Sequence, residues 1–356
     1  MDIQHYLRKY KQHIDTILLS LPKDFEEGKR PICVDTTILH ELMAFATRGK
    51  SLRGVLTILS YELFGGENKH QADVDITNIA AAIELYHAAL LIHDDIMDRS
   101  ATRRGAPSYF VRYTKKGQRE KASDPTWYGL SQAVILGDVY IFLAQHILSH
   151  ACTNTILAKT VQTFMSNEYI AVCFAQMDDV QFGLTTKEPS MKEIIQVYTY
   201  KTARYTFAMP LVVGAILNNA SQKTMRDCEK LGTSMGLMFQ LRDDVLGLFG
   251  DTRLGKPIGA DITENKKTIL RKLLFDRVTD KERKRLQNIF GNDHISEDDF
   301  DFVKERLTEY GVVEEGNHIM QKHAQEAETM IEQMNIAKQH KTLLRELITY
   351  NLDRTL

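Results

Sequence analysis

The sequence predicts an all-α protein, and three observations predict it. Only 7 prolines and 20 glycines interrupt its 356 residues, so most segments run long between breakers. Those segments repeat apolar residues at the spacing of a 3.6-residue helix, and several are apolar on nearly every side. No segment alternates apolar and polar residues for long, and no hairpin signal of strength is present.

In chain order, the opening MDIQHYLRKYKQH is polar and lacks the apolar core of a signal peptide. Residues 79–98, IAAAIELYHAALLIHDDIMD, stay apolar on nearly every face until the acids begin, which predicts a helix buried in the middle of a bundle. Residues 113–127, YTKKGQREKASDPTW, read as a polar loop between two helices, either a solvated connection or a lid. Residues 131–150, 156–182, 191–219 and 222–248 predict four more buried helices. Pro189 and Ser190 end a polar loop and start the third of these. Pro210 should kink that helix, because it lacks an N–H and clashes with the preceding turn. Residues 276–310 are strongly charged and predict a solvated outer face. Ser296 with Asp299 makes a capping-box start there, and Gly311 a stop. No Pro-, Gly- or Ser-rich linker divides the chain. Residues 1–356 are therefore expected to form one domain, with 271–356 a helical extension of it.

Composition excludes several classes. The chain is 43% hydrophobic, ample for a core, and its 45 basic residues nearly balance its 47 acidic ones. A balanced chain has no global pull toward nucleic acid or an anionic membrane, so any charge-driven function must be local. The four cysteines, Cys33, Cys152, Cys173 and Cys228, lack the paired spacing of zinc sites or a disulfide framework, which suggests a reducing compartment. No uninterrupted apolar run reaches the roughly 18–20 residues of a membrane span. A cytoplasmic location without a membrane span is expected.

The chemistry concentrates where the apolar run of residues 79–98 ends. On a helix Asp94 and Asp98 project from one face, with Asp95 about 100° round from Asp94. Carboxylates so placed repel unless a cation lies between them. Magnesium suits them, since it takes hard oxygens and is usually held by one or two carboxylates plus substrate phosphates. A charged helix end in solvent is the plainer alternative, and the fully apolar segment before it argues against that. Arg103 and Arg104 follow closely, and guanidinium matches phosphate geometry. GLMFQLRDDVLGLFGD, residues 236–251, repeats the design, with Asp243 and Asp244 after an apolar helix and Gln240 one turn earlier.

These motifs resemble those of the trans-prenyltransferase (polyprenyl diphosphate synthase) family, in particular geranylgeranyl diphosphate synthases of archaeal type. HDDIMDRSATRRG is similar to the family's first aspartate-rich motif and FQLRDDVLG to its second. RGKSLRG, YKTARYTF and GKPIGADITENKKT match its basic elements, in family order, and Ala175–Asp179 its glutamine–aspartate element. Two positions depart from the pattern. Gly247 stands where many members have a third aspartate, and Gly54 replaces the usual proline.

The resemblance implies a helical bundle around a deep central cavity, a homodimer, and several magnesium ions bridging diphosphate and aspartates. It implies head-to-tail condensation of isopentenyl diphosphate with an allylic prenyl diphosphate. Asp94, Asp98 and Asp243 would hold metal, with Asp244 in support. Arg103, Lys201, Gln240, Lys256 and Lys266 would contact the allylic diphosphate. Lys50, Arg53, His87 and Arg104 would bind isopentenyl diphosphate, and Thr202 would sit beside the developing cation. Taken singly, each has a plainer reading, His87 as a core histidine and the lysines as a solvated loop. A terpene cyclase of the same fold would not need Lys50, Arg53 and His87, and a non-catalytic partner subunit would not keep both aspartate pairs.

Product length should be set on the apolar wall before Asp94. One helical turn rises about 5.4 Å, close to one isoprene unit. Small Ala89, beside Leu90, leaves the first level open, and Tyr86 is the first residue large enough to form a floor. Geranylgeranyl diphosphate is the expected product, with geranylfarnesyl and farnesyl diphosphate as alternatives.

Overall fold

The structure, a computed structural model, describes residues 2–25, 34–66, 74–249, 259–292 and 294–353. The described chain is helical apart from turns and one small hairpin, as the periodicity predicts. It divides into two compact units: residues 1–164 with 210–225, and residues 165–209 with 226–356.

The first unit holds α1 (Ile3–Ser20), α2 (Thr36–Ala46), α3 (Leu52–Tyr61) and α4 (Ile76–Met97). A hairpin of β1 (Thr102–Arg103) and β2 (Ala106–Pro107) follows, then α5 (Tyr109–Arg119) and α6 (Pro125–Leu148). Asp75 starts α4 by accepting the Asn78 N–H at 3.0 Å. From there α4 packs against α1, α3 and α6, burying Ile79, Ala80, Ile83, Leu85 and Ile92. This is the central helix the sequence predicts. At Gly54 a Cβ would lie 2.9 Å from the Ala80 carbonyl, so only glycine lets α3 approach α4 this closely.

Two local expectations are corrected. The loop expected over 113–127 is mostly helix: α5 runs to Arg119 and α6 starts at Pro125. Tyr109, Tyr113 and Gly117, four residues apart, form one buried stripe that the polar residues between them mask in the sequence. The hairpin carries no strong sequence signal because its turn is Arg104–Gly105 instead of Asn-Gly. Both residues take positive φ, 54° and 72°, as a tight two-residue hairpin turn requires.

By length and composition α4 and α6 could each cross a membrane, although neither contains the unbroken apolar run sought in the sequence. Over half of the apolar window of α4, 56%, is buried inside the protein.

The second unit contains most of α7 (Thr155–Leu184), then α8 (Met191–Val197) and the π-helix Tyr198–Ala208. Ser190 opens α8 with a full capping box to Glu193. The irregularity predicted at Pro210 takes the form of this π-helix. The Met209 N–H reaches back five residues to the Arg204 carbonyl, and the wide turns end immediately before the proline, at the start of α9 (Met209–Leu217). Next comes α10 (Gln222–Phe249), which passes the π-helix at backbone contact. A Cβ at Gly236 would lie 2.5 Å from that of Ala203. The remainder is α11 (Ala260–Thr263), α12 (Ile269–Arg277), α13 (Asp280–Ile289), α14 (Glu297–Glu309), α15 (Val312–Gln333) and α16 (Lys338–Leu352). Ser296 caps α14 through the Asp299 N–H at 3.1 Å, and Gly311 follows its end at φ 63°.

Candidate active site

In the first unit the acids gather at the C-terminal end of α4. Asp98 is the capping residue, its N–H bonded to the Asp94 carbonyl at 2.8 Å. The Asp94 side chain remains 20% exposed. Asp95 points inward, 2% exposed, and receives Arg103 through Nε at 2.7 Å and Nη2 at 2.5 Å. Nη2 also reaches Asp94 at 3.3 Å. Burial works against the charge on Arg103, but Asp95, Asp94 and Asp98 outweigh it and raise the pKa.

The hairpin turn sends the next arginine elsewhere. Arg104 donates to the Phe45 carbonyl at 2.7 Å and that of Ala46 at 3.3 Å, in the last turn of α2, and lies 4.9 Å above the Phe45 ring. Arg53 stands in the first turn of α3, three residues after Lys50. Between them Ser51 takes φ 50°.

Beneath this group Glu84, 3% exposed, accepts the Gly54 N–H at 2.8 Å. A proline at 54 could not donate that bond, which gives the departure from the family pattern a physical reason here. Burial raises the Glu84 pKa against the pull of Arg53 and Arg104. One turn on, His87 is held well below the ordinary histidine range by burial and by Arg53, Arg104 and Arg103. It is therefore neutral at pH 7, and can donate a hydrogen bond without adding charge. The structure thus gathers Arg53, His87, Arg103 and Arg104 within electrostatic reach of one another.

Tyr86, Leu90 and Asp94 are four residues apart and so share one line along α4. Tyr86 and Leu90 are half-buried, whereas Ala89 is 1% exposed. The Tyr86 hydroxyl is hydrogen-bonded to the Gln145 side chain of α6.

In the second unit Asp179 of α7 joins two predicted lysines, Lys201 at 2.5 Å and Lys266 at 3.1 Å. Burial alone would raise the Asp179 pKa, but the two ammonium groups overcome this and lower it. Thr202 follows Lys201 on the π-helix. Lys267 separates from Lys266 and pairs with Glu188 at 3.1 Å.

At the second aspartate pair, Asp244 is 3% exposed and Asp243 half-buried. Gln240 donates to Asp244 Oδ1 at 2.9 Å and the Tyr198 hydroxyl donates to Oδ2. Burial and the charge of Asp261 push the Asp244 carboxyl up to about 8, despite those two donors. At Gly247 a Cβ would lie 3.2 Å from Asp261 Oδ2. Asp261 already supplies a carboxylate at that place. Lys256 lies outside the described residues.

These donors fit a hard divalent cation. Asp94 keeps access to solvent and Asp243 is half-buried, so each can offer carboxylate oxygen to a hard ion. Among the described residues no three acidic, His or Cys side chains form a closed metal cage. Such a donor set leaves coordination positions for phosphate oxygens.

Sequence reasoning gave no role to Asp95, Glu84, Tyr198 or Asp261. Asp95 and Asp261 sit inside the acidic and basic motifs, and Glu84 is the one acid in the apolar stretch of α4 before Asp94, which is a readable signal. Tyr198 gave none.

The chain is similar to known proteins over most of its length. The polyprenyl synthetase family matches residues 36–307. A short chain isoprenyl diphosphate synthase of Methanocaldococcus jannaschii is 32% identical over 260 residues, covering 73% of this chain and 71% of the relative. A geranylgeranyl diphosphate synthase of Sulfolobus acidocaldarius is 30% identical, covering 75% of this chain and 76% of its own. Among solved structures, geranylgeranyl pyrophosphate synthase from Corynebacterium glutamicum, complexed with isoprenyl diphosphate and magnesium, superposes with a TM-score of 0.89 at 25% identity. That superposition covers 99% of this chain and 100% of that one. On the family match across most of its length and the same all-α fold, this chain belongs to the polyprenyl synthetase family of prenyltransferases.

Proposed function

We propose that the chain joins isopentenyl diphosphate head-to-tail to an allylic prenyl diphosphate, with magnesium, and that geranylgeranyl diphosphate is its product. The observation that carries this reading is the meeting of Arg53, His87 and Arg104 beside the aspartate-bearing end of α4. A diphosphate needs several cations and neutral donors at once, and this cluster provides both. Lys50, four residues before Gly54, adds a further charge.

Asp94 and Asp98 on α4, and Asp243 on α10, would hold magnesium, whose positive charge would offset that of the leaving allylic diphosphate. Lys201, Lys266, Gln240, Arg103 and Lys256 bind and orient that leaving group. Arg103 already rests on Asp94 and Asp95, within reach of any phosphate that Asp94 helps to hold. Arg53, His87, Arg104 and Lys50 fix the isopentenyl diphosphate so that its double bond meets the allylic carbon. The backbone and hydroxyl of Thr202 stabilise the allylic cation. The proton lost after bond formation goes to the departing diphosphate. The apolar residues of α4 exclude water, which would quench the cation.

Tyr86 forms the floor of the growing product's path. Its support is its size, its position on the Asp94 line and its tether to Gln145. The protein acts as a homodimer and works in the cytoplasm. Support for the dimer comes from α6, where Trp127, Ile135 and Phe142 lie along one side at 66%, 54% and 66% exposure.

The test is incubation of wild type and Tyr86→Ala with magnesium, labelled isopentenyl diphosphate and each allylic primer. Wild type should release the twenty-carbon prenyl alcohol after dephosphorylation, and Tyr86→Ala longer ones. An unchanged distribution removes Tyr86 as the floor, and cyclic products without isopentenyl incorporation overturn the synthase reading.

A further inference from the structure

We infer that Tyr198 is a positioning residue for the second aspartate pair, fixing it through one hydroxyl that ties three segments of the second unit together. Tyr198 opens the π-helix that carries Lys201 and Thr202. Its hydroxyl accepts the Ile269 N–H at 3.0 Å, at the first residue of α12, directly after the segment of Lys266. It also contacts Asp244 Oδ2 on α10.

The two bonds run in opposite senses. A backbone amide can only donate, so the phenol oxygen is the acceptor toward Ile269, and its single proton goes to Asp244. The Ile269 N–H belongs to the first turn of a helix, which has no carbonyl partner of its own. Tyr198 is therefore oriented by a group that is itself fixed. All three members are buried, with Tyr198 7%, Asp244 3% and Ile269 3% exposed. Each bond is made out of water and keeps its full strength.

The consequence concerns Asp244. One oxygen is taken by Tyr198 and the other by Gln240, at 2.9 Å. A carboxylate held on both oxygens inside the protein acts as a brace. Asp243, its half-buried neighbour, is then the member of the pair that meets metal and phosphate. Through the backbone they share, Tyr198 sets the orientation of Asp243 and the distance from the pair to Lys201, three residues along its own helix.

This inference rests on the proposed synthase reading, and its test separates the two. Tyr198→Phe keeps the ring and removes only the donor. It should raise the magnesium concentration for half-maximal turnover and lower kcat, each by about 10–100-fold, as is usual for groups that orient metal ligands. KM for isopentenyl diphosphate should stay within about twofold, because the groups that bind it lie in the first unit. A second readout does not depend on turnover. Magnesium with inorganic diphosphate should raise the thermal midpoint of wild type, and this rise should shrink in Tyr198→Phe. A lower midpoint without ligand but an undiminished rise with it would make Tyr198 merely structural and overturn the inference. Pairing with Asp244→Asn adds a check: the two substitutions should be non-additive. Additive effects would also overturn it. If wild type itself fails to elongate, the synthase reading falls, and the ligand-induced rise still decides the role of Tyr198.

Discussion

His87 shows how much of a residue's role lies outside its own letter. In sequence it is a histidine in an apolar helix, and the family resemblance alone made it a ligand. In the structure, burial and the charges of Arg53, Arg104 and Arg103 keep it neutral, with Glu84 the buried acid on the same helix. The unfolded chain titrates near the ordinary value of 6.5 and the folded residue well below it. Between those two values the unfolded state binds more protons, so this residue makes stability rise with pH up to about 6.5 and level off above. His87→Phe should flatten that rise in chemical denaturation of the ligand-free protein measured at several pH values. An equally steep rise would mean that His87 is accessible to protons when folded. The chemistry of the acids and bases was legible because metal and phosphate restrict residue type. The partner of each was not. That Arg103 turns to Asp95, and Arg104 to the end of α2, depends on a two-residue turn the sequence did not announce.

Whole elements were read best where they are long and uniformly apolar. α4 was legible because nothing but a buried helix accommodates its apolar run, whereas α10 carries charges through its first half and was legible by its period. α5 was not, since its three buried residues are outnumbered by charges and its length is only 11 residues. The π-helix was visible only as a misplaced proline. Its fit against α10 depends on Gly232 and Gly236, whose missing side chains let the two backbones touch. Gly236→Ala should therefore destabilise by about 1–3 kcal/mol, the usual range for overpacking a tight contact. Because Ala203 would be displaced next to Thr202, kcat should fall more than KM for isopentenyl diphosphate rises. Thermal unfolding and steady-state kinetics on the same preparation check both, and a variant as stable as wild type would show that the helices separate without strain.

At the scale of the molecule, the all-α class followed from breaker frequency and periodicity, whereas the division into two compact units left no linker to read. The exposed side of α6 also escaped sequence analysis, since a helix apolar all round gives no sign of which face stays uncovered. If that side joins two copies, Phe142→Asp should yield monomers by light scattering at micromolar concentration, with far-ultraviolet helicity retained. A variant that remains dimeric would place the interface elsewhere.

The pairing of Arg103 with Asp94 and Asp95 has a consequence for the order of events. The guanidinium spans Asp95 and Asp94, so an ion seated between those two carboxylates must turn it aside. An ion arriving already complexed to diphosphate brings with it the anion that the guanidinium can turn to. By charge alone, an ion that comes with its anion is then favoured over one that comes bare. The resident arginine thereby bridges the carboxylates and couples a metal's seat there to the anion that accompanies it.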